Sequence, residues 1–218
     1  MNDFGFYGKL ASRGDFVSRG LPQSFIQPWD QWLAAGLQAS QQQLGEQWLQ
    51  AYLVSPLWRF ALAAGVCGES AVVGVVMPSI DRVGRYFPLT VAQLLAPGES
   101  LAAAVSGGDE WFEQVESDLL ATLEPQASFE QFEAALRPFP GARPQLPGAR
   151  ASFTAMRRLQ VTTPEGRALA LAECACEGTS LWWGRGSERI AAGLMRCVGL
   201  PRSEDFAGYL LGNEADCR

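Results

Sequence analysis

Residues 71–95, AVVGVVMPSIDRVGRYFPLTVAQLL, contain two apolar runs separated by a charged connection. The runs Ala71–Met77 and Phe87–Leu95 are typical of buried strands, because they are short, apolar and rich in valine and leucine. A tight hairpin would place Asn-Gly or Asp-Gly between two such strands. The connection Pro78–Thr90 is longer than that and carries charged side chains at three positions: Asp81, Arg82 and Arg85.

The charged side chains of this connection permit two interpretations. Guanidinium groups form forked hydrogen bonds that suit phosphate and carboxylate oxygens, so Arg82 and Arg85 could line a phosphate-binding loop. Together with Asp81 they could instead form an internal ion-pair cluster that fixes the connection to the loop between Arg13 and Arg19. The second interpretation is favoured, because structural ion pairs also concentrate charges in this way. It predicts that Asp81 pairs with Arg85 or with an arginine of the other loop.

The composition excludes several classes of protein. The chain has 218 residues, of which 48% are hydrophobic and 18% charged, as is ordinary for a globular protein with a substantial core. Its net charge of -6 argues against non-specific nucleic-acid binding. No apolar run approaches the ~18 residues of a membrane span, and the N-terminus MNDFGFYGKL lacks the apolar segment of a secretory signal. We therefore expect a cytoplasmic protein that neither inserts into membranes nor binds nucleic acid.

The absence of histidine from the chain narrows the possible chemistry. It excludes Ser-His-Asp and Cys-His nucleophile systems and His-ligated zinc. The five cysteines, an odd number, argue against a disulfide framework, and Cys174 and Cys176 are expected to be small buried side chains on one face of a strand. General acid–base chemistry would fall to Asp, Glu, Tyr or the lone Lys9. We therefore expect no catalytic residues, no metal and no cofactor.

Two glycine-containing motifs resemble catalytic signatures without completing them. The motif Gly5-x-x-Gly8-Lys9 has too few residues between its glycines for a P-loop and lacks the following Ser or Thr. The segment GDFVSRG, residues 14–20, resembles the G-D-x-V-D-R-G signature of metal-dependent Ser/Thr phosphatases. Ser18 stands where that signature has its second aspartate, and the histidine ligands of such a two-metal site are missing. The favoured interpretation is a local charged loop formed by three residues: Arg13, Asp15 and Arg19.

Charge is distributed along the chain in blocks. Residues 1–95 carry six acidic and six basic residues, residues 96–136 carry nine acidic residues and no basic one, and residues 137–202 carry ten arginines and four acidic residues. Most of the acidic block coincides with two predicted amphipathic helices, so its carboxylates are expected on their solvated faces. A docking surface for a basic partner is the alternative.

Helices are predicted where apolar residues recur at helical spacing. The first is expected to have its opening turn near Pro28. Ser128 and Gln131 form a capping box that opens a further helix, and Ser203 is expected to open a last short one. The three longer apolar patterns cover residues 24–45, 46–53 and 109–123.

Strands alternate with these helices along the chain. Beyond the two central runs, strands are predicted over residues 168–176 and 181–184. Residues 189–198 fit either a strand or a helix, and Gly193 and Cys197-Val198 favour the strand. This mixture predicts an α/β fold, a three-layer α/β/α sandwich with a mixed central sheet covered on both faces. Residues 138–150 are rich in Pro and Gly and are interpreted as a long loop inside one domain spanning residues 1–218.

Trp182 and Trp183 place one indole on each face of a predicted strand. One of them is expected in the core. The other could be exposed beside Arg185, which is typical of a protein interface, or both could be packed inside.

Several longer motifs, in this order, resemble the TagF (ImpM) family of type VI secretion-associated proteins. They are GFYGKLASRGDFVSRGLP, WDQWL, PSIDRVGRYFPLT and the late SLWWGRGSERI, together with the spaced patterns LG..W..AY and P.WRFAL. The resemblance is dense over residues 4–95, resumes near residues 179–201 and is weak over residues 100–175. It implies the three-layer sandwich fold and a cytoplasmic post-translational repressor of type VI secretion that acts with a forkhead-associated (FHA) scaffold protein. The family has no established catalytic residues, so none is carried over.

Two functional hypotheses follow from the sequence. The first is a regulatory binding protein whose contact surface includes Arg82 and Arg85, with Trp182 or Trp183. The second is a phosphate-ligand sensor or an uncharacterised hydrolase that uses Asp15, Asp81 and the arginines. A sealed cluster with saturated ion pairs favours the first hypothesis, and an open pocket with unpaired arginines favours the second.

Overall fold

The computed structural model describes residues 3–144 and 161–211. Its centre is a seven-stranded sheet in the order β2-β1-β5-β4-β3-β6-β7. The strands are β1 (Phe4–Lys9), β2 (Phe16–Arg19), β3 (Trp58–Leu62), β4 (Val72–Met77), β5 (Leu89–Leu94), β6 (Thr179–Gly184) and β7 (Gly193–Val198). The two strands that follow the long loop therefore join the same sheet as the first five.

The sheet is antiparallel, so the prediction of a mixed sheet is wrong. Every pair of neighbouring strands runs antiparallel, from β1 with β2 to β6 with β7. The helical excursions that suggested parallel crossovers follow β2 and β5. Neither excursion joins neighbouring strands, because β2 and β3 lie far apart in the sheet and β5 is separated from β6 by β4 and β3. A parallel pair would have required such an excursion to return beside the strand that it left.

Helices connect or follow the strands within the described ranges. They are α1 (Gln23–Leu44), α2 (Trp48–Val54), α3 (Leu101–Gly107), α4 (Asp109–Ala121), α5 (Phe129–Ala135), α6 (Pro164–Cys176) and α7 (Phe206–Leu211), with 3-10 turns at Gly45–Gln47 and Ser203–Asp205. None of the helices in the described ranges is both long and apolar enough to cross a membrane.

Alternate residues of the central strands enter two different cores. On β4, Val73, Val75 and Met77 join a core with side chains of α3, α4, α5 and α6. Val72 and Val76 of the same strand join a second core with side chains of α1, α2 and α7. Because successive side chains of a strand point to opposite faces, the two cores receive side chains from opposite faces of these strands.

The segment expected to be a strand over residues 168–176 is helical, and this prediction is wrong. It lies in α6, where the Thr163 hydroxyl accepts a hydrogen bond from the Gly166 N–H and Pro164 occupies the first turn. Cys176 is buried in the core, whereas Cys174 is exposed, so the two cysteines do not share a buried face. Burial and the nearby Glu173 raise the pKa of Cys176 to about 11.

The other helix predictions are largely confirmed. The capping box of Ser128 and Gln131 is present in full. The first helix begins at Gln23, before Pro28 rather than near it, which allows Phe25 and Ile26 to enter the core. A 3-10 turn beginning at Ser203 precedes α7, and Arg202 rather than Ser203 occupies the capping position.

Two further segments are helix α3 and the long loop predicted over residues 138–150. Helix α3 was not predicted, although the Ser100 hydroxyl caps it by accepting from the Ala103 N–H. The described part of the long loop lies beside this cap, since the Ser100 N–H donates to the Arg143 carbonyl. Residues 145–150 of the predicted loop lie outside the described residues.

Candidate functional site

The connection between β4 and β5 is a closed, hydrogen-bonded loop. Ile80 and Tyr86 form an isolated antiparallel bridge, and the Phe87 N–H donates to the Ser79 carbonyl at 3.1 Å. Within the loop, the Asp81 N–H donates to the Arg85 carbonyl, and the Gly84 N–H donates to the Asp81 carbonyl, each at 3.0 Å. Gly84 has a φ of 88°, a conformation that favours glycine. The loop is therefore an extension of the two central strands with a defined turn at its tip.

The carboxylate of Asp81 lies at the base of this loop and is completely buried. It accepts hydrogen bonds from Lys9 Nζ, from Arg85 Nε at 2.7 Å, and from the backbone N–H groups of Val83 at 3.0 Å and Arg85 at 2.9 Å. Two cations and two amide groups thus surround both carboxylate oxygens. The predicted pairing of Asp81 with Arg85 is present, and the partnership with Lys9 is an addition to it.

The surroundings of Asp81 favour its charged form. Burial by itself raises the pKa of the carboxyl, but the hydrogen bonds from Lys9 and Arg85 and the backbone donors outweigh burial. The pKa of Asp81 therefore lies well below its usual range. A buried carboxylate that stays ionised is stable only while these donors remain in place.

Lys9 connects the first strand to the loop. Its side chain is only 6% exposed, and its Nζ lies 5.0 Å from the ring centre of Phe16. The backbone carbonyl of the same residue accepts from the Ser79 hydroxyl at 2.8 Å. The Gly5-x-x-Gly8-Lys9 motif, which resembled a P-loop, therefore delivers a structural lysine. The signal available in the sequence was that this lysine is the only one in the chain and ends an apolar strand.

The predicted charged loop is only the turn between β1 and β2, because Arg19 lies on strand β2. This turn carries Arg13 and Asp15 and is fixed to the first loop through its backbone groups. The Arg82 N–H donates to the Arg13 carbonyl at 2.8 Å, and the Arg85 guanidinium donates to the Gly14 carbonyl at 2.5 Å. Asp15 does not join this cluster. It is exposed, and its carboxylate accepts from the Phe16 N–H at 2.8 Å.

The guanidinium groups of Arg13 and Arg19 point toward α5 rather than toward Asp81. Arg13 pairs with Glu130 at 2.6 Å, and Arg19 pairs with Glu133 at 2.8 Å. Both guanidinium groups also lie over the ring of Phe129, at 4.8 and 5.6 Å from its centre. These pairs are half-exposed, so each contributes little to stability.

Arg82 differs from the other arginines of this region. It is exposed, and within the described parts of the chain no carboxylate lies within ion-pair distance of its guanidinium. Val83, the next residue, is an apolar side chain left 65% exposed. The tip of the loop thus carries an unpaired cation and an exposed apolar side chain on a base held by Asp81.

The two tryptophans do not form an exposed pair. Trp182 is fully buried among the rings of Trp29, Trp32, Phe60 and Tyr209. Trp183 is partly buried against the other core, 4.9 Å from the ring centre of Phe112 in an edge-on contact. Of the two interface candidates, Trp182 therefore lies in one core and Trp183 lies partly buried against the other. Each face of the strand that carries them contributes to a core.

A second buried charge centre, absent from the sequence predictions, lies on β3. Arg59 is 6% exposed and binds Glu116 through two hydrogen bonds, of 2.6 and 2.9 Å, and Asp109 through a third of 3.0 Å. Donation to Glu116 raises the pKa of Arg59 above its ordinary value, although burial opposes this shift. Arg185 extends the cluster by pairing with Glu113 at 2.8 Å. An arginine inside the apolar run LWRFALAA was the signal for this centre, because a buried cation requires acidic partners.

The acidic residues of the block 96–136 therefore do not all lie on solvated helix faces. Glu116 is buried against Arg59, and three exposed members of the block are paired with arginines from other segments: Glu113, Glu130 and Glu133. The block supplies partners to arginines that lie far away in the sequence.

The Asp81 cluster can be compared with the sealed and the open arrangements that the two functional hypotheses require. Asp81 is sealed, and Arg85 is committed to it and to Gly14, as expected for a structural brace. Over residues 3–144 and 161–211, no group of three or more Cys, Asp or Glu side chains is arranged to hold a metal ion. Asp81 and Arg85 therefore form the sealed, saturated arrangement of a structural brace.

Comparisons with known proteins agree with the motifs. A search of curated proteins found no match. Among solved structures, the crystal structure of PA0076 from Pseudomonas aeruginosa PAO1 is similar, with 58% sequence identity and a TM-score of 0.90. The similarity covers 96% of this chain and 94% of that chain. The sequence also matches the TagF N-terminal domain, described as type VI secretion system-associated, over residues 5–138. The chain therefore belongs to the TagF family of type VI secretion system-associated proteins.

Proposed function

We propose that this protein is a cytoplasmic repressor of type VI secretion that binds an FHA-domain scaffold through the tip of the 78–88 loop and holds the scaffold inactive. The observation that carries the proposal is the contrast within this loop. The side chains of Asp81 and Arg85 form contacts within the fold, whereas Arg82 is exposed and unpaired among the described residues. The association of the family with type VI secretion supports the biological setting.

The brace around Asp81 supports a role in recognition because it pre-organises the tip. A loop that is already fixed loses less conformational entropy on binding than a mobile one. Arginine is also enriched among the residues that dominate binding energies, and it makes two-pronged hydrogen bonds to carboxylates. An acidic group on the scaffold is therefore the counterpart expected for Arg82.

A small apolar surface on α2 can add area to this contact. Tyr86 of the loop lies 5.8 and 5.7 Å, centre to centre, from the rings of Trp48 and Tyr52 on α2. On the same helix Leu49 and Leu53, one turn apart, are 40% and 60% exposed. Exposed apolar side chains on a helix that contacts the loop through Tyr86 are a feature that protein interfaces share.

The proposed mechanism is binding without catalysis. The hydrolase alternative needs Asp15 and Asp81 to act together, but Asp15 is exposed and outside the cluster, and Asp81 is sealed. With no histidine in the chain, a general base would have to be an acidic side chain, a tyrosine or Lys9. A purified sample is expected to show neither phosphatase nor nucleotide hydrolysis activity, with or without manganese.

A second part of the proposal concerns the arrangement of helices around the sheet. We infer that the sheet is the middle layer of a three-layer α/β/α sandwich. The support is the division of the core, with α1, α2 and α7 on one set of strand side chains and α3 to α6 on the other.

Titration calorimetry of the purified protein with the FHA scaffold of the same secretion system tests the proposed function. Arg82→Ala is expected to weaken binding by at least tenfold, as for a hot-spot residue. The matched control is Arg167→Ala, which removes another exposed arginine, on α6. No binding by the unmodified protein would overturn the partner assignment. Equal binding by the unmodified protein and the Arg82→Ala variant would overturn the role of the loop tip.

A further inference from the structure

The two edges of the sheet are built differently. The β2 edge is short, only Phe16–Arg19, and Arg19 on it is paired with Glu133 of α5. The β7 edge is six residues long, Gly193–Val198, and is paired on one side by β6 alone within the described ranges. Proteins normally protect a sheet edge with charges, short strands or a covering element, because its free N–H and C=O groups can pair with another strand. The first edge is short and its arginine is paired, whereas the second is longer, carries one charged side chain at its centre and has no covering strand among the described residues.

Side chains on β7 add an apolar surface to the free backbone groups. Leu194 is 63% exposed and Val198 is 77% exposed. Both lie on the same face of the strand as Arg196, since they are two residues on either side of it. An exposed apolar edge strand is a surface on which another strand can pair.

A groove of about 520 Å³ lies along the strand on its other face. Its lining runs over residues 190–197 and continues to the 3-10 turn and α7 through Asp205 and Tyr209. Trp58 and Met195 also contribute apolar surface to it. An extended segment placed beside β7 would therefore find backbone partners at the edge and a groove for alternate side chains.

The charge at the centre of this edge indicates what kind of segment fits. Arg196 is exposed, its Nε donates to the Ala175 carbonyl at 2.8 Å, and no carboxylate among the described residues lies within ion-pair distance of it. In an antiparallel pair, residues directly opposite each other share a face, so the residue facing Arg196 would be flanked by residues facing Leu194 and Val198. An acidic residue between two apolar ones, at alternate positions, is complementary to this face.

We propose that β7 is a docking site for an extended segment of another protein, which adds to the sheet as an eighth strand with the pattern apolar-x-acidic-x-apolar. The backbone of the edge supplies the hydrogen bonds, Leu194 and Val198 supply apolar contact, and Arg196 selects the acidic residue. This site is separate from the 78–88 loop, so it goes beyond the function proposed above and does not depend on it.

Synthetic peptides test the proposal on the full chain. Three capped nine-residue peptides share alternating valines and carry Glu, Gln or Lys at the central position. Their binding is followed by fluorescence anisotropy, and the backbone amides that they protect are located by hydrogen exchange. The Glu peptide is expected to bind at least tenfold more tightly than the Lys peptide, with protection concentrated in residues 193–198. In the Arg196→Glu variant the order of the Glu and Lys peptides is expected to reverse.

Control variants distinguish strand pairing at the β7 edge from non-specific binding of the peptides. The double variant Leu194→Lys and Val198→Lys is expected to lose at least tenfold in affinity for the Glu peptide. Leu171→Lys, which changes an exposed leucine on α6, is expected to bind normally. All of these positions are exposed, and melting curves establish that each variant is folded.

Three results would overturn the proposal. The first is binding without preference for Glu over Lys, and the second is protection that excludes residues 193–198. The third is a stable dimer in sedimentation that Leu194→Lys dissociates, because a second copy of the chain would then occupy the edge.

Discussion

Asp81 and Arg59 are two buried charges of opposite sign, and each is satisfied in a different way. Asp81 lies in a loop and is held by a lysine from β1, by Arg85 and by two backbone amides of its own loop. Arg59 lies in the middle of the sheet and is held by acidic side chains of α4. In both centres a saturated buried charge joins separate segments of the fold. A charge available to a partner must therefore be sought among the unpaired ones, such as Arg82.

Breaking the Arg59 centre is expected to have the largest effect on stability. Arg59→Met leaves Glu116 buried without its main partner, and loss of one member of a buried pair typically costs ~3 kcal/mol or more. Chemical denaturation measures the change in the free energy of unfolding. The double variant Arg59→Met with Glu116→Leu is expected to regain much of the loss, because it leaves no uncompensated charge. A double variant less stable than Arg59→Met alone would contradict this explanation.

Removing the charge of Asp81 is expected to have the next largest effect. Asp81→Asn keeps the size of the side chain but leaves Lys9 buried beside a neutral amide. For a chain of this length, a lost buried partner corresponds to a decrease in melting temperature of roughly 5–10 °C. Differential scanning calorimetry gives the value, with Asp15→Asn as the control because that carboxylate is exposed. Equal melting temperatures for the two variants would show that Asp81 is not a brace.

The pH dependence of stability sharpens the same comparison. The pKa of Asp81 is lower in the folded state than the ordinary value near 4 that it has in the unfolded chain. Its contribution is therefore fully present above about pH 5 and is lost as the pH falls below 4 toward the folded pKa. Melting temperatures of the unmodified protein and of Asp81→Asn are expected to converge between pH 5 and pH 2. A difference that stays constant over this range would contradict the assignment.

The exposed pairs are expected to give the smallest effect. Arg19→Ala breaks the contact with Glu133, in which both side chains are more than 40% exposed, so its cost is about 0.5 kcal/mol. Added salt should reduce this cost further. Denaturation at low and high salt checks the prediction, and a loss comparable to that of Arg59→Met would contradict it.

The sequence was sufficient for the features that local physics determines. The two central strands, the capping box at Ser128 and the pairing of Asp81 with Arg85 all depend on residues close together in the chain. The antiparallel sheet was not predictable, since it depends on which strands become neighbours after long helical excursions. The partners Lys9 and Glu116 were also missed, because each lies more than 50 residues from the charge that it satisfies.

The α6 segment illustrates a different limit of the sequence. ALALAECAC alternates in a way that suits a strand, but alanine and leucine also favour helices, and the cap at Thr163 decides between them. Trp182 and Trp183 could not be assigned to core or surface without knowledge of the helices on both faces of β6. For these residues the tertiary surroundings, rather than local propensity, determine the outcome.

A side-by-side measurement on two adjacent residues tests the central claim, that the loop is braced by Asp81 and recognises its partner through Arg82. Melting temperature and affinity for the FHA scaffold are measured for Asp81→Asn and Arg82→Ala, with the affinity taken well below both melting temperatures. Asp81→Asn is expected to lower the melting temperature, whereas Arg82→Ala is expected to melt like the unmodified protein and to lose about 2 kcal/mol of binding free energy. If Arg82→Ala instead melts as low as Asp81→Asn, and its folded fraction binds with unchanged affinity, Arg82 is part of the brace and the account is contradicted.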